Sequence, residues 1–203
     1  MDNYYYIVAG LPVLSENFEP QDFSYEIIRE HIYHFLSDKD RILVTCLEKS
    51  FDTKNLSKEF YNEVKLIKNT FIKKYIDLDH QIRNIQVKFI SEEMDKETDV
   101  STKVSDPEKY LVDKIDIWSE FYKEVQNILL IENVLEREQK IDAYRWNKAE
   151  TFTQFDFFNI NAILSFLVKA KIVERWNKID KEKGTQLFEN FINEIQSTYK
   201  EKL

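Results

Sequence analysis

The sequence is poor in chain breakers. Its 203 residues include only two glycines and three prolines, against average usages of roughly 7% and 5%. Tight hairpin turns and phosphate-cradling loops draw on glycine, so this scarcity excludes a hairpin-rich sheet and a Gly-rich nucleotide loop. Cysteine is scarcer still. Cys46 is the single one, and it cannot form an internal disulfide. The opening MDNYYYIVAGLPVLSEN also lacks a basic leader region before Pro12 and Glu16. Both features predict a chain at work in a reducing cytoplasm. Long apolar runs are missing as well. The longest purely aliphatic run is Ile128–Ile131, far short of the ~20 residues a membrane helix needs. Association with a membrane would therefore run through a partner protein. Acidic residues outweigh basic ones, 37 to 29, for a net charge of −8. That balance argues against non-specific binding to nucleic acid.

What is present points to helices. Leu, Ile, Lys and Glu dominate, and aromatic residues reach 14%, which predicts bulky packing between helices. The fold class expected is all-α, a bundle of six to eight helices in two lobes. Residues 1–91 form the first half and 107–203 the second. Residues 92–106, EEMDKETDVSTKVSD, have few apolar positions and are expected to be an exposed loop or hinge between them.

In chain order, Tyr4–Val8 is a short aromatic and β-branched run, either a strand or a helical turn, expected to strap onto the core. Pro20 and Asp22 start a helix to Leu36, with Phe23, Ile27, Ile28, Ile32 and Phe35 on one apolar face. Asp38 and Asp40 cap a second helix near 41–49, with Ile42, Leu43, Val44 and Leu47 inward. Residues 57–76 carry Phe60, Val64, Ile67, Phe71 and Tyr75 at helical steps. Lys58, Lys65, Lys68, Lys73 and Lys74 give this helix a basic outer surface. It either continues through Phe89 or breaks near Asp77. Asp106-Pro107-Glu108 is a good helix start. The helix that follows is expected to run to about Tyr144, with Leu111, Ile115, Trp118, Tyr122, Val125 and Leu129 as a packing seam. Residues 153–159 connect to a helix at 160–176, capped by Asn159 and apolar over most of its circumference. Its polar strip is Ser165, Lys169, Lys171, Glu174 and Arg175. A turn at 181–184 and a last helix at 185–199 complete the chain.

The stretch from Ala143 to Trp176 holds two of the three tryptophans and five of the fifteen phenylalanines. It is the expected centre of the core.

Reactive chemistry is hard to find. His31 and His34 stand at i, i+3 with Glu30 nearby, a possible corner of a metal site, but no second cluster completes it. Cys46 sits among apolar residues with no neighbouring histidine. No GxSxG, HExxH, GxGxxG or P-loop pattern occurs. The reading is no catalytic residue, no cofactor and no metal. Arg83 and Asn84 next to an apolar face, Arg145 before Trp146, and Glu174 and Arg175 beside Trp176 stand out. Such groups either hydrogen-bond helix ends and neighbouring side chains or contact a partner protein. These five residues are the candidate partner contacts.

Two segments carry a resemblance. Phe71–Ile85 and Ala143–Trp176, with the opening Tyr4–Pro12, resemble an uncharacterised bacterial family encoded beside V-type ATPase subunits. That family is similar to a shortened form of the C-type stalk subunit of V/A-type ATPases, whose eukaryotic counterpart is the d-type subunit. Asp79-x-x-Ile82-Arg83-Asn84-Ile85 resembles the helix motif of the C-type subunit, and Asn159–Leu164 resembles a second, weaker copy. The resemblance implies a non-catalytic stalk part that links the central rotor shaft to the membrane ring of a proton or sodium pump. It would work at the cytoplasmic face of the inner membrane, held there by the other ATPase subunits. An assembly or regulatory factor of the same machine, or an unrelated helical interaction module, is the alternative.

Overall fold

The computed structural model describes residues 4–17, 22–97, 117 and 119–179. Among them are eight α-helices and no strand. They are α1 (Tyr5–Ala9), α2 (Tyr25–Phe35), α3 (Asp38–Phe51), α4 (Lys58–Leu66), α5 (Thr70–Glu97), α6 (Glu120–Leu129), α7 (Val134–Phe152) and α8 (Ile160–Asn177). A short 3₁₀ turn, Thr53–Asn55, joins α3 to α4. The all-α expectation and the helix number are met.

Small polar side chains cap the starts of α3, α4, α6, α7 and α8. Ser37 accepts a hydrogen bond from the Asp40 amide, Ser57 from Phe60, Ser119 from Tyr122 and Asn133 from Glu136. Asn159 accepts from both Asn161 and Ala162, as the sequence suggested. Each satisfies an otherwise unpaired amide of a first turn. For α3 the cap is thus Ser37, and Asp38 and Asp40 occupy the first turn instead, where their charge suits the helix dipole.

Two expected helices are divided. The run from 57 to 76 breaks at residues 67–69 rather than near Asp77. Asn69 is the cause: its Oδ1 accepts from the Ile72 amide at 2.8 Å, and its Nδ2 donates to Asn161 Oδ1 at 2.7 Å. It caps α5 and pins that start to the start of α8. From there α5 runs unbroken through the Asp79–Ile85 motif and takes in residues 92–97 of the expected loop. The expected long helix to Tyr144 breaks at residues 130–133, where Asn133 caps α7. The seam positions Leu111, Ile115 and Trp118 lie outside the described residues, as do the rest of the loop at 98–106, the start at 106–108, Pro20, and the turn and helix expected after residue 180.

One core runs through both halves. Ile32, Val44, Leu47, Phe71, Ile72, Ile82, Val125, Ile141, Ile163 and Leu164 all belong to it. At its centre lies α8, in contact with α2, α3, α5 and α7. Ile163, Leu164, Leu167, Val168 and Ala170 have at most 1% of their surface exposed. Ser165 and Glu174, expected on the polar strip, are buried too. Ser165 Oγ donates to the Ala149 carbonyl at 3.1 Å. With a small alanine at that point, α7 and α8 approach closely enough to bury the hydroxyl without loss of its partner.

The outer helices bury less than their patterns suggested. Ile27, Phe35 and Ile42 are exposed, while Tyr25, Ile32 and Leu36 face the core. Tyr4–Val8 forms the helical turn α1, not a strand. It acts as the expected strap: the Tyr4 amide donates to the Phe158 carbonyl at 2.8 Å, and its hydroxyl donates to Asp40. Burial, then the Asp40 carboxylate, pushes the Tyr4 phenol up.

Candidate functional site

Three helices bring charged residues together where α5, α7 and α8 meet. Asp79 and Arg83 stand one turn apart on α5. Glu138, Asp142 and Arg145 share a face of α7, at steps of four and three. Arg175 and Trp176 lie in the last turn of α8. The side chains form a chain of alternating sign. Asp79 accepts from Arg83 Nε on one oxygen, at 2.7 Å, and from Arg145 Nε on the other, at 2.9 Å. A second nitrogen of Arg145 donates to Asp142 Oδ1 at 3.0 Å. Asp142 Oδ2 then accepts from Arg175 at 2.9 Å and from the Trp176 indole N–H at 2.9 Å. Arg175 ends the chain on Glu138 at 2.6 Å.

The middle of this chain is dry and its ends are wet. The side chains of Asp142, Asp79 and Arg145 are 3%, 10% and 11% exposed. Those of Arg83 and Arg175 are 31% and 44% exposed. Burial alone would lower the Arg145 guanidinium, but Asp79 and Asp142 outweigh it and push it up. Tyr75, one turn before Asp79, is pushed up by burial and by that carboxylate. Beside the chain, Glu174 takes Lys171 on one oxygen and Lys178 on the other, at 2.6 and 2.7 Å. Burial would raise its carboxyl. The two ammonium groups win, and the group is held below the usual carboxylate range.

The charged residues line a cleft of about 490 Å³ between these three helices and the end of α3. Chemically it is saturated. Three guanidinium groups meet three carboxylates, and both oxygens of Asp79 and of Asp142 are occupied. No buried side-chain nitrogen or oxygen among the described residues lacks a partner. The arrangement joins helices that are 33 to 66 residues apart in sequence. It is a clamp across the two halves of the chain.

Of the five candidate contacts, Arg83, Arg145, Glu174 and Arg175 line this cleft. Asn84 is buried and turns away, with its Nδ2 3.4 Å from His80 Nε2. Sequence reasoning missed Asp79 and Asp142 as the carboxylates that gather the arginines. It also missed Trp176 as a donor. The spacings Asp79–Arg83 and Asp142–Arg145 were available signals; their long-range partners were not. His31 and His34 are exposed, each edge-on to the Phe35 ring. Among the described residues no three His, Cys, Asp or Glu side chains gather as for a metal ion. Cys46 is half-buried, and burial pushes its thiol up. No helix of the described residues is long and apolar enough to cross a membrane.

No curated protein and no solved structure matches the chain. A protein family does. Residues 1–59 and 54–199 match the one described as "Protein of unknown function (DUF2764)", so nearly the whole chain, the clamp included, belongs to that family.

Proposed function

We propose that the chain is a non-catalytic component of a bacterial V-type ATPase, similar to the C-type stalk subunit, that links the central rotor shaft to the membrane ring. The observation that carries the reading is the clamp. Its charged residues are matched to one another, so this buried concentration of ionisable groups joins helices and offers no free acid or base. A part that transmits force between other proteins needs cross-links of this kind between its elements. The segments that carry the resemblance support the reading too. Phe71–Ile85 supplies Asp79 and Arg83, and Ala143–Trp176 supplies Arg145, Arg175 and Trp176, so the clamp is where those segments meet. The half-exposed Arg83 and Arg175 at the clamp's ends are the candidate contacts with neighbouring subunits, at the cytoplasmic face of the membrane.

Affinity purification of the tagged chain from native membranes tests this. Recovery of the other V-type ATPase subunits in fixed proportion, with loss of coupled ion pumping on deletion, is the expected result. A complex purified without the chain and still fully coupled rejects it. Substoichiometric recovery with normal coupling of the mature complex points to an assembly factor instead.

A further inference from the structure

The basic surface that the sequence places at residues 57–76 takes no part in the clamp. In the structure it becomes two facing walls. Lys58 and Lys65 on α4 and Lys73 and Lys74 on α5 line an open cleft of about 510 Å³. On α4 the lining residues Lys58, Tyr61, Asn62 and Lys65 fall on one helical face, and Glu59 and Glu63 fall off it. On α5 Lys73, Asp77 and His80 repeat at steps of four and three. All four lysines are exposed, and the ion pairs among the described residues are made by other basic side chains. Lys74 also approaches the Phe152 ring, at 5.7 Å from its centre. The one acid in the lining, Asp77, accepts instead from Gln81 at 2.7 Å. The floor is apolar and aromatic: Val64 and Ile76 are buried, and the Tyr61 ring lies tilted against His80 with ring centres 4.1 Å apart.

Four lysines line this one cleft with a single acid, Asp77, among them, and this on a chain whose net charge is −8. At the clamp, by contrast, basic side chains find carboxylates on their own or a neighbouring helix. We propose that the α4–α5 cleft docks an acidic peptide segment of a partner protein. Its carboxylates would sit on Lys58, Lys65, Lys73 and Lys74, and an apolar side chain would sit on Tyr61, Val64 and Ile76. Concavity favours a polypeptide over a lipid surface, because a flat bilayer touches the ammonium tips and leaves the floor unfilled. The inference rests on different residues from the ATPase reading and stands or falls apart from it.

Fluorescence anisotropy of the full chain with a labelled amphipathic helical peptide of about 15 residues, glutamates on one face and leucines on the other, tests it. Saturable binding is expected. It should weaken with added salt, as exposed charge pairs do, and fall about tenfold or more in Lys65→Glu/Lys73→Glu. Lys65→Gln/Lys73→Gln should fall between. Lys39→Glu, on the exposed face of α3, should bind as the unaltered chain does. Circular dichroism and thermal midpoints of the variants should match, so that a loss reports binding and not folding. Absence of saturable binding overturns the proposal, and so does equal binding by the charge-reversed pair. Two other occupants are outcomes that also overturn it. One is binding to phosphatidylserine vesicles without peptide binding. The other is self-association that the charge-reversed pair abolishes.

Discussion

Helix α5 presents two kinds of charge on two faces. On one, Asp79 and Arg83 are drawn into a clamp whose every member has an opposite partner. On the other, Lys73 and Lys74 face more lysines across a cleft. The same helix thus shows what charge does when the fold uses it and when it does not. Paired and buried, charge fixes the relative position of helices. Unpaired and exposed, it is free for something outside the chain.

The sharpest way to break the contrast is at the dry end. Asp142→Ala removes the acceptor that Arg145, Arg175 and the Trp176 indole N–H share, and leaves Arg145 on Asp79 and Arg175 on Glu138 alone. Removal of one member of a buried pair costs about 3–5 kcal/mol, and urea unfolding should show a loss of that order. Leu164→Ala, in the fully buried middle of α8, is expected to cost about 2–5 kcal/mol by the same measurement. If Asp142→Ala costs no more than a surface change, the clamp is ornament. Trp176→Phe keeps an aromatic ring at this buried position and removes the indole N–H that donates to Asp142, together with part of the ring's packing. A loss of at least about 1 kcal/mol is expected in urea unfolding, from the hydrogen bond and the buried volume removed.

Acid probes the neighbour of the clamp. The folded-state carboxyl of Glu174 lies below its unfolded value of 4.5. A depressed carboxyl gives stability that is present above the unfolded value and lost as pH falls through the folded one. Glu174→Gln should therefore flatten the loss of thermal midpoint below about pH 4.5, with little change near neutrality in the slope against pH. Across the cleft from that other face of α5, Lys65→Glu on α4 should change stability by less than about 0.5 kcal/mol, since no ion pair is lost. A large destabilisation there would mean that the lysines serve the fold after all.

How far the sequence anticipated this division depends on distance along the chain. Local features were legible. Asn159 caps α8 as its side chain allows, and the helix that follows is buried nearly all round, as its composition required. The lysine face was legible because helical periodicity alone exposes it. The clamp was not. Arg145 stood out beside Trp146, yet its partner Asp79 lies 66 residues away, and no periodicity reports a pairing between helices. The breaks at Asn69 and Asn133 were missed for a related reason. An apolar stripe at helical spacing continues across Asn69 from Val64 and Ile67 to Phe71, and at Asn133 no glycine or proline marks the stop, so only the side-chain caps reveal the interruptions. Ile27 and Ile42 were placed inward because they fit a stripe, but α2 and α3 lie on the outside of the bundle and bury a narrower face.

A double-mutant cycle on Asp79 and Arg145 tests most directly the claim that a buried ion-pair chain clamps the two halves. Asp79→Leu and Arg145→Met should each destabilise by about 3–5 kcal/mol in urea unfolding, and the pair together should recover much of that loss, a coupling of at least about 1 kcal/mol. Single losses under about 0.5 kcal/mol that simply add would contradict the clamp.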